Sequence, residues 1–158
     1  MFKIETYLDE DKLPVMEKTL ICSEEIQVNN PEKVFRMLNN YFRLGSRTEE
    51  YVYLIAVDTK SQILGVFELS HGNVSSSFSG TREIFMKALL CGAASIIVAH
   101  NHPSGDVSPS RPDIQTAQNI IKAGKLMEIS LMDYLICSNK NYFSFMEHEM
   151  LSTEEESA

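Results

Sequence analysis

Residues 96–113 constrain the fold most, because a strand, a tight loop and a helix start follow one another directly in this stretch. Residues 96–99 form a short, apolar, β-branched run with turn residues soon after it, which is typical of a buried strand. His100 and His102 stand at its end. Residues two apart in an extended chain point to the same side, so both imidazoles are expected to face one point.

The loop that follows returns the chain toward these histidines. Residues 103–109 are rich in Pro, Ser, Gly and Asp and lead to Ser110 and Asp113, a spacing typical of a helix start. A carboxylate in the first turn of that helix can meet both imidazoles. Two imidazoles and one carboxylate leave the fourth tetrahedral position of a zinc ion to water, as in hydrolytic zinc sites. The sequence therefore predicts a Zn²⁺ site with His100, His102 and Asp113 as ligands.

Composition indicates one soluble globular domain. The chain has 158 residues, 44% apolar and 23% charged, enough to bury a core without disulfides. Its apolar runs are far too short to span a membrane, and a glutamate within residues 1–5 argues against an export signal. The three cysteines are widely spaced and odd in number, so we expect core residues rather than disulfides or zinc ligands. A cytoplasmic protein without membrane contact follows.

The charge balance bears on binding partners. Lysine and arginine number 14 against 22 acidic residues, which gives a formal charge of −8. DNA-binding proteins neutralise phosphates with clustered basic residues, and the sequence has no such cluster. The balance therefore argues against autonomous DNA binding.

Helical and strand patterns alternate along the chain, so the predicted class is α/β or α+β, with helices packed on a mixed sheet. Residues 1–19 are predicted to be an N-terminal extension, 20–148 the domain and 149–158 an acidic, disordered tail. The predicted elements are a strand at 18–22, a helix from Pro31 capped by Asn30 and stopped by Gly45, a hairpin of 51–57 and 63–69, a loop at 70–80, a helix at 81–90 capped by Thr81, a helix from Ile114 interrupted at Gly124, a strand at 129–137, and a short strand or helix start at 142–145.

Hydrolysis also needs a base that is not a metal ligand, which takes a proton from water and passes it to the leaving nitrogen. Glu50, at the start of the predicted hairpin, is the preferred candidate. Glu49 and Glu68 are alternatives that spacing alone does not exclude. Ser110 is the candidate hydrogen-bond donor to the developing oxyanion. The predicted catalytic residues are therefore Glu50 and Ser110.

Each of these residues also has an ordinary structural interpretation. Ser110 and Asp113 alone would form a helix cap, and a ligating Asp113 is not expected to cap freely. Asp106 is assigned to the loop, and His71 and His148 to surface or core positions. The whole pattern, His-x-His, seven residues, Ser-x-x-Asp, is rarer than its parts and favours a metal site.

This pattern matches the JAMM signature of MPN-domain zinc proteases, and the surrounding sequence resembles the RadC family more specifically. The resemblance implies an MPN fold, a curved mixed sheet flanked by helices, with the three zinc ligands named above. It also implies that Ser110 is the oxyanion residue and Glu50 the catalytic glutamate. The similarity covers residues 20–148 and is carried by His-Asn-His-Pro-Ser-Gly-Asp at 100–106, Pro-Ser at 109–110, Arg-Glu-Ile-Phe at 82–85 and the apolar run 94–99.

The chain also departs from the family pattern. The usual His-Pro before Arg-Glu is Gly80-Thr81 here, and the usual Asp-His after the last helix is Asp133-Tyr134. Many RadC proteins carry an N-terminal helix-hairpin-helix region, which we do not expect within these 158 residues. The departures affect expected substrate contacts and leave the metal ligands in place.

The leading hypothesis is a zinc-dependent metallopeptidase or isopeptidase-like hydrolase acting on a peptide or protein conjugate. RadC proteins are commonly labelled as DNA repair proteins, so a DNA-metabolism accessory factor that acts by binding is the second hypothesis. A non-catalytic MPN scaffold is the third. An HNH nuclease is disfavoured because its residues are scattered through a ββα-metal unit, and a zinc deaminase because Pro-Cys-x-x-Cys is absent. The sequence does not indicate an oligomeric state.

Overall fold

A seven-stranded mixed sheet with helices on both faces forms the body of the protein, which confirms the predicted class. The computed structural model describes residues 1–72 and 80–152. In these ranges the elements are, in chain order, β1 (Phe2–Leu8), β2 (Pro14–Leu20), α1 (Pro31–Phe42), a 3₁₀ turn (Leu44–Ser46), β3 (Glu50–Val57), β4 (Ile63–Gly72), α2 (Thr81–Leu90), β5 (Ser95–Asn101), α3 (Arg111–Met127), β6 (Ser130–Cys137) and β7 (Tyr142–Ser144).

The strand order is β2-β1-β4-β3-β5-β6-β7, so β3 and β5 lie in the interior of the sheet. β3 is antiparallel to both of its neighbours, whereas β5 and β6 are parallel because α3 connects them. Side chains alternate between the faces. Val52 and Leu54 belong to the core under α2 and α3, and Tyr53 and Ile55 to the core under α1. This alternation decides on which face each candidate site residue lies.

The N-terminal residues are more regular than their sequence suggests. β1 and β2 pair as an antiparallel hairpin, and β1 joins the sheet beside β4. The turn is held by the Asp9 carboxylate, which accepts hydrogen bonds from the backbone amides of Asp11 and Leu13. The strand predicted at 18–22 is therefore placed too late. The observed strand begins at Pro14, a residue tolerated at the start of an edge strand because it need not donate to a ladder.

The first helix forms as predicted at its start and ends earlier. The side chain of Asn30 accepts a hydrogen bond from the Lys33 amide at 2.8 Å, which confirms the predicted cap. The helix ends at Phe42, because Arg43 adopts a left-handed conformation with φ of 54°. Gly45 is therefore not the stop. It lies in the 3₁₀ turn, where a side chain would collide with the backbone carbonyl of Ser138.

The second and third helices differ from expectation at single residues. α2 spans the predicted residues, but Gly80 occupies the N-cap position in place of Thr81. α3 continues through Gly124, so the predicted interruption there is wrong. Glycine is required at that position for another reason: a Cβ would overlap with the carbonyl of Ile129, where the chain returns to the sheet.

The remaining strands are confirmed, with ends shifted by a few residues. β4 extends to Gly72, so the loop predicted at 70–80 starts later, and residues 73–79 lie outside the described residues. Residues 153–158 of the predicted tail also lie outside them, and the predicted domain boundaries stay predictions. No helix within residues 1–72 and 80–152 has both the length and the apolar composition that a membrane span needs.

Gly45→Ala is expected to destabilise the protein by about 2 kcal/mol or more, because overpacking against a backbone carbonyl forces the chain to move. Urea unfolding monitored by circular dichroism measures the change. Gly80→Ala is the matched control, since a Cβ there meets nothing within 4 Å. Its effect should stay below about 1 kcal/mol. Equal losses in the two variants would contradict the close approach at residue 45.

Candidate metal centre

The predicted zinc ligands come from the end of β5 and the start of α3. His100 pairs with Val52 of β3 and lies between two strands, so its side chain is only 1% exposed. The backbone amide of His102 donates to the carbonyl of Cys137, so hydrogen bonding to β6 continues one residue past the end of β5. Asp113 lies in the first turn of α3. The C-terminal end of β5 and the N-terminal end of α3 therefore meet at the candidate site.

The three side chains converge. The Nε2 atoms of His100 and His102 lie 3.1 Å apart. His100 Nε2 is 3.2 Å from Asp113 Oδ1, and His102 Nε2 is 3.5 Å from Asp113 Oδ2. The ligand atoms of all three residues lie within 4.8 Å of one another, so a single metal ion can contact all of them. Two nitrogens and one carboxylate oxygen are donors that suit zinc.

Hydrogen bonding fixes which ring nitrogen of His102 can ligate. Its Nδ1 lies 2.7 Å from the carbonyl oxygen of Asp106, an acceptor, so the neutral ring carries its proton on Nδ1 and presents a lone pair on Nε2. Asp106 thus belongs to the loop, as predicted. His100 is oriented by packing, with its ring 5.4 Å from that of Tyr134. Its Nδ1 is buried and has no hydrogen-bond partner among the described residues.

Ser110 and Asp113 cap α3 and also take part in the site. Asp113 Oδ2 accepts hydrogen bonds from the Ser110 amide at 2.7 Å and from its hydroxyl at 2.6 Å. The Asp113 amide donates to the Ser110 hydroxyl in return, which completes a capping box. The other oxygen, Oδ1, faces His100. Oδ2 therefore accepts the capping hydrogen bonds and also lies 3.5 Å from His102 Nε2, so the carboxylate caps the helix and faces both histidines, a combination that we did not expect.

The electrostatics of the site favour a cation between these groups. Burial alone would raise the pKa of Asp113, but hydrogen bonds from His100 and His102 hold that pKa well below its usual range. The hydrogen bond to Asp113 raises the pKa of His102, although burial opposes it. An ionised carboxylate therefore faces two imidazoles, an environment that stabilises a bound proton or metal ion.

The structure separates the three candidate bases. Glu50 Oε1 lies 4.0 Å from His100 Nε2, and Glu50 Oε2 is buried without a hydrogen-bond partner among the described residues. Glu49 is exposed to solvent. Glu68 lies on the opposite face of the sheet, where its carboxylate accepts from the Tyr53 hydroxyl at 3.3 Å and lies 2.9 Å from His71 Nδ1. Of the three glutamates, Glu50 is the one that lies beside the predicted metal ligands.

Two residues beside the site were not predicted as site residues, although Tyr134 was noted as a departure from the family pattern. Tyr134 is buried between the rings of His100 and Phe145, and Asn101 is fully buried between the two histidines in the chain. The alternation of β6 could have placed Tyr134 on the site face, but the contacts of Asn101 depend on pairing with β3 and leave no local signal. His148 stacks on Phe143 and bonds to a backbone carbonyl, a structural role as predicted.

Comparison with known proteins agrees with this geometry. A family model described as the RadC-like JAB domain matches residues 28–150. Among curated relatives, a UPF0758 protein of Chlorobaculum tepidum is 38% identical over 126 residues, which are 80% of this chain and 56% of the relative. A UPF0758 protein of Clostridium perfringens is 36% identical over 127 residues, 80% of this chain and 55% of the relative.

A third relative matches more of the chain. A UPF0758 protein of Methanosarcina acetivorans is 35% identical over 145 residues, which are 92% of this chain and 57% of the relative. The matched region spans little more than half the length of each of these proteins. The family model covers strands β3 to β7, the three helices and all three candidate ligands. The chain belongs to the RadC-like JAB domain family.

Proposed function

We propose that this protein is a zinc-dependent metallopeptidase or isopeptidase-like hydrolase that cleaves an amide bond in a peptide or protein conjugate. The observation that carries the proposal is a convergent His₂Asp set with a second carboxylate beside it, Glu50, one oxygen of which is buried and has no hydrogen-bond partner among the described residues. A buried carboxylate oxygen without a hydrogen bond is costly, and such strain is typical of functional sites. The other oxygen of the same carboxylate, Glu50 Oε1, lies 4.0 Å from His100 Nε2.

Each residue has a defined task in the proposed reaction. His100, His102 and Asp113 would hold the metal through the Nε2 atom of each ring and the Asp113 carboxylate. A bound zinc ion supplies Lewis acidity, lowering the pKa of water and polarising a carbonyl. Glu50 accepts a proton from the attacking water at its carboxylate and gives that proton to the leaving nitrogen. Its low exposure, 16% of the side chain, limits competition from bulk water.

Ser110 is proposed as the hydrogen-bond donor to the oxyanion. In the structure its single hydroxyl proton is donated to Asp113 Oδ2 at 2.6 Å. The oxyanion role therefore requires this hydroxyl to turn from Asp113 toward the substrate during the reaction, while the Ser110 backbone amide continues to hold the same oxygen. Removing one oxyanion-hole donor costs about 2.7–4 kcal/mol in a well-studied serine protease, and an effect of that order is expected here.

The state of the cysteines bears on the cell compartment. Cys22, Cys91 and Cys137 are all free thiols. Free, widely spaced cysteines are typical of proteins kept in a reducing environment. We propose a cytoplasmic location on this basis.

The direct test combines metal analysis with turnover. Purified protein is expected to bind one zinc per chain and to hydrolyse members of a panel of linear and isopeptide-linked fluorogenic peptides. Removal of the metal with a chelator should abolish hydrolysis, and added Zn²⁺ should restore it, because the nucleophile depends on the ion. Turnover that persists after elemental analysis shows the metal to be gone would contradict the proposal, as would no turnover on any peptide by the zinc-loaded protein.

A further inference from the structure

We infer that Asn101 is a positioning residue that holds Glu50 over the metal centre; the inference rests on the proposed function. Asn101 stands between the two histidine ligands in the chain and is 0% exposed. Since successive residues of a strand point to opposite faces, its side chain leaves β5 away from the ligands. Its amide reaches the start of β3, where Glu50 is found.

The Asn101 amide binds the backbone on both sides of Glu50. Asn101 Nδ2 donates to the carbonyl of Glu49 at 3.0 Å, and the amide of Tyr51 donates to Asn101 Oδ1 at 2.8 Å. One planar group therefore fixes the two peptide units that flank the proposed base. A hydrogen-bonded backbone on each side restricts where the Glu50 carboxylate can lie.

The two hydrogen bonds of Asn101 form a bridge that holds β3 beyond the point where its pairing with β5 ends. The ladder between β3 and β5 ends at the pair of Val52 and His100. On its other side, the start of β3 pairs with β4 through Glu50 and Gly72, with an irregularity after Val52. Without Asn101, the first residues of β3 would be held from the β4 side alone. The tripeptide His100-Asn101-His102 thus supplies two metal ligands on one face and the support of the base on the other.

An asparagine with two backbone hydrogen bonds can also be purely structural, and Asn39, which is half-buried, is an example in this chain. Its Nδ2 donates to the Ser138 carbonyl at 3.1 Å, and the Gly45 amide donates to its Oδ1 at 2.7 Å, so it joins two different segments. Asn39 contacts neither Glu50 nor the ligands in these bonds. Asn39→Ala is therefore the control for loss of stability without loss of positioning.

The test begins with amide hydrogen exchange on zinc-free protein, which needs no turnover. In Asn101→Ala the Tyr51 amide should exchange about tenfold faster relative to that of Ile55 in the middle of β3, because one hydrogen bond is lost locally. Asn39→Ala should leave the ratio of the two amides unchanged. Should Asn101→Ala not fold, Asn101→Asp removes the donor to Glu49 and is measured in the same way at the Glu50 amide. Unchanged exchange in a folded Asn101 variant would contradict the bridge.

The link to catalysis is tested by a double-mutant cycle. Asn101→Ala should keep one zinc per chain and lower kcat about tenfold or more, with KM nearly constant, because misplacing a base affects the chemical step. In a Glu50→Gln background the same change should cost less than about twofold, since the group it positions is already disabled. Multiplicative losses would overturn the inference. Absence of turnover in the wild type contradicts the proposed function, while exchange at Tyr51 still decides the bridge.

Discussion

Glu50→Gln is expected to keep its zinc and lose kcat by about 10²–10⁴-fold, the usual contribution of a general base or acid. Glutamine has nearly the same shape as glutamate and cannot accept the proton from water. Glu50 is not among the three ligands, and its nearer oxygen lies 4.0 Å from His100 Nε2, so metal binding should depend little on its charge. Loss of turnover with full metal content would therefore isolate the proton-transfer step.

The sequence itself supplies matched controls, because two other glutamates were candidates for the same role. Glu49→Gln changes an exposed neighbour, and Glu68→Gln changes a carboxylate on the opposite face of the sheet. Both should retain kcat within about threefold, since neither side chain reaches the ligands. Steady-state kinetics with zinc analysis of each protein gives the comparison. Wild-type kcat in Glu50→Gln, or a large loss in Glu49→Gln instead, would remove Glu50 from the mechanism.

The convergence of the ligand set could be predicted because it depends on local rules. Strand alternation brings His100 and His102 to one side within three residues, and a capping pattern places Asp113 in the first helical turn. These relations hold in any fold that forms the strand and the helix. The distance between Glu50 and the two ligand histidines follows no local rule, because it depends on β3 lying beside β5 in the sheet. Spacing alone left three glutamates open for this reason.

The errors in the fold have the same origin. Gly124 resembles a helix break in the sequence, yet the helix continues and the glycine serves a contact with Ile129 that only tertiary structure shows. The N-terminal hairpin was not predicted, because Pro14 and the acidic turn interrupt the alternation of apolar and polar residues. In the structure the hairpin is stabilised by pairing of β1 with β2 and with β4. The role of Asn101 depends wholly on a strand that precedes it by 50 residues. Non-local pairing is thus what the sequence pattern could not provide.

His102→Ala is expected to lower zinc affinity by more than about 100-fold. Mutation of a residue that only hydrogen-bonds to a ligand already lowers metal affinity by about 10–100-fold, and His102 is itself a predicted ligand. His102 supplies one of three donors, and its Nδ1 bond to Asp106 prepares Nε2 for binding. The remaining His100 and Asp113 still face each other at 3.2 Å, so the fold should survive while the metal is lost. Elemental analysis after dialysis should show one zinc per chain in the wild type and almost none in the variant.

The same residue gives the prediction a pH dependence with a defined sign. The pKa of His102 in the metal-free protein is raised by its hydrogen bond to Asp113, so its proton stabilises the metal-free fold below about pH 6.5, and this contribution disappears as pH rises through the raised pKa. Zinc must displace that proton, so wild-type affinity should weaken as pH falls through this range. His148→Ala, which removes a ring stacked on Phe143 away from the ligands, should bind zinc like the wild type. Equal zinc in His102→Ala and His148→Ala would show that the ion is held elsewhere. The hydrolytic mechanism would then have no metal ion near Glu50, whose Oε2 atom has no hydrogen-bond partner among the described residues.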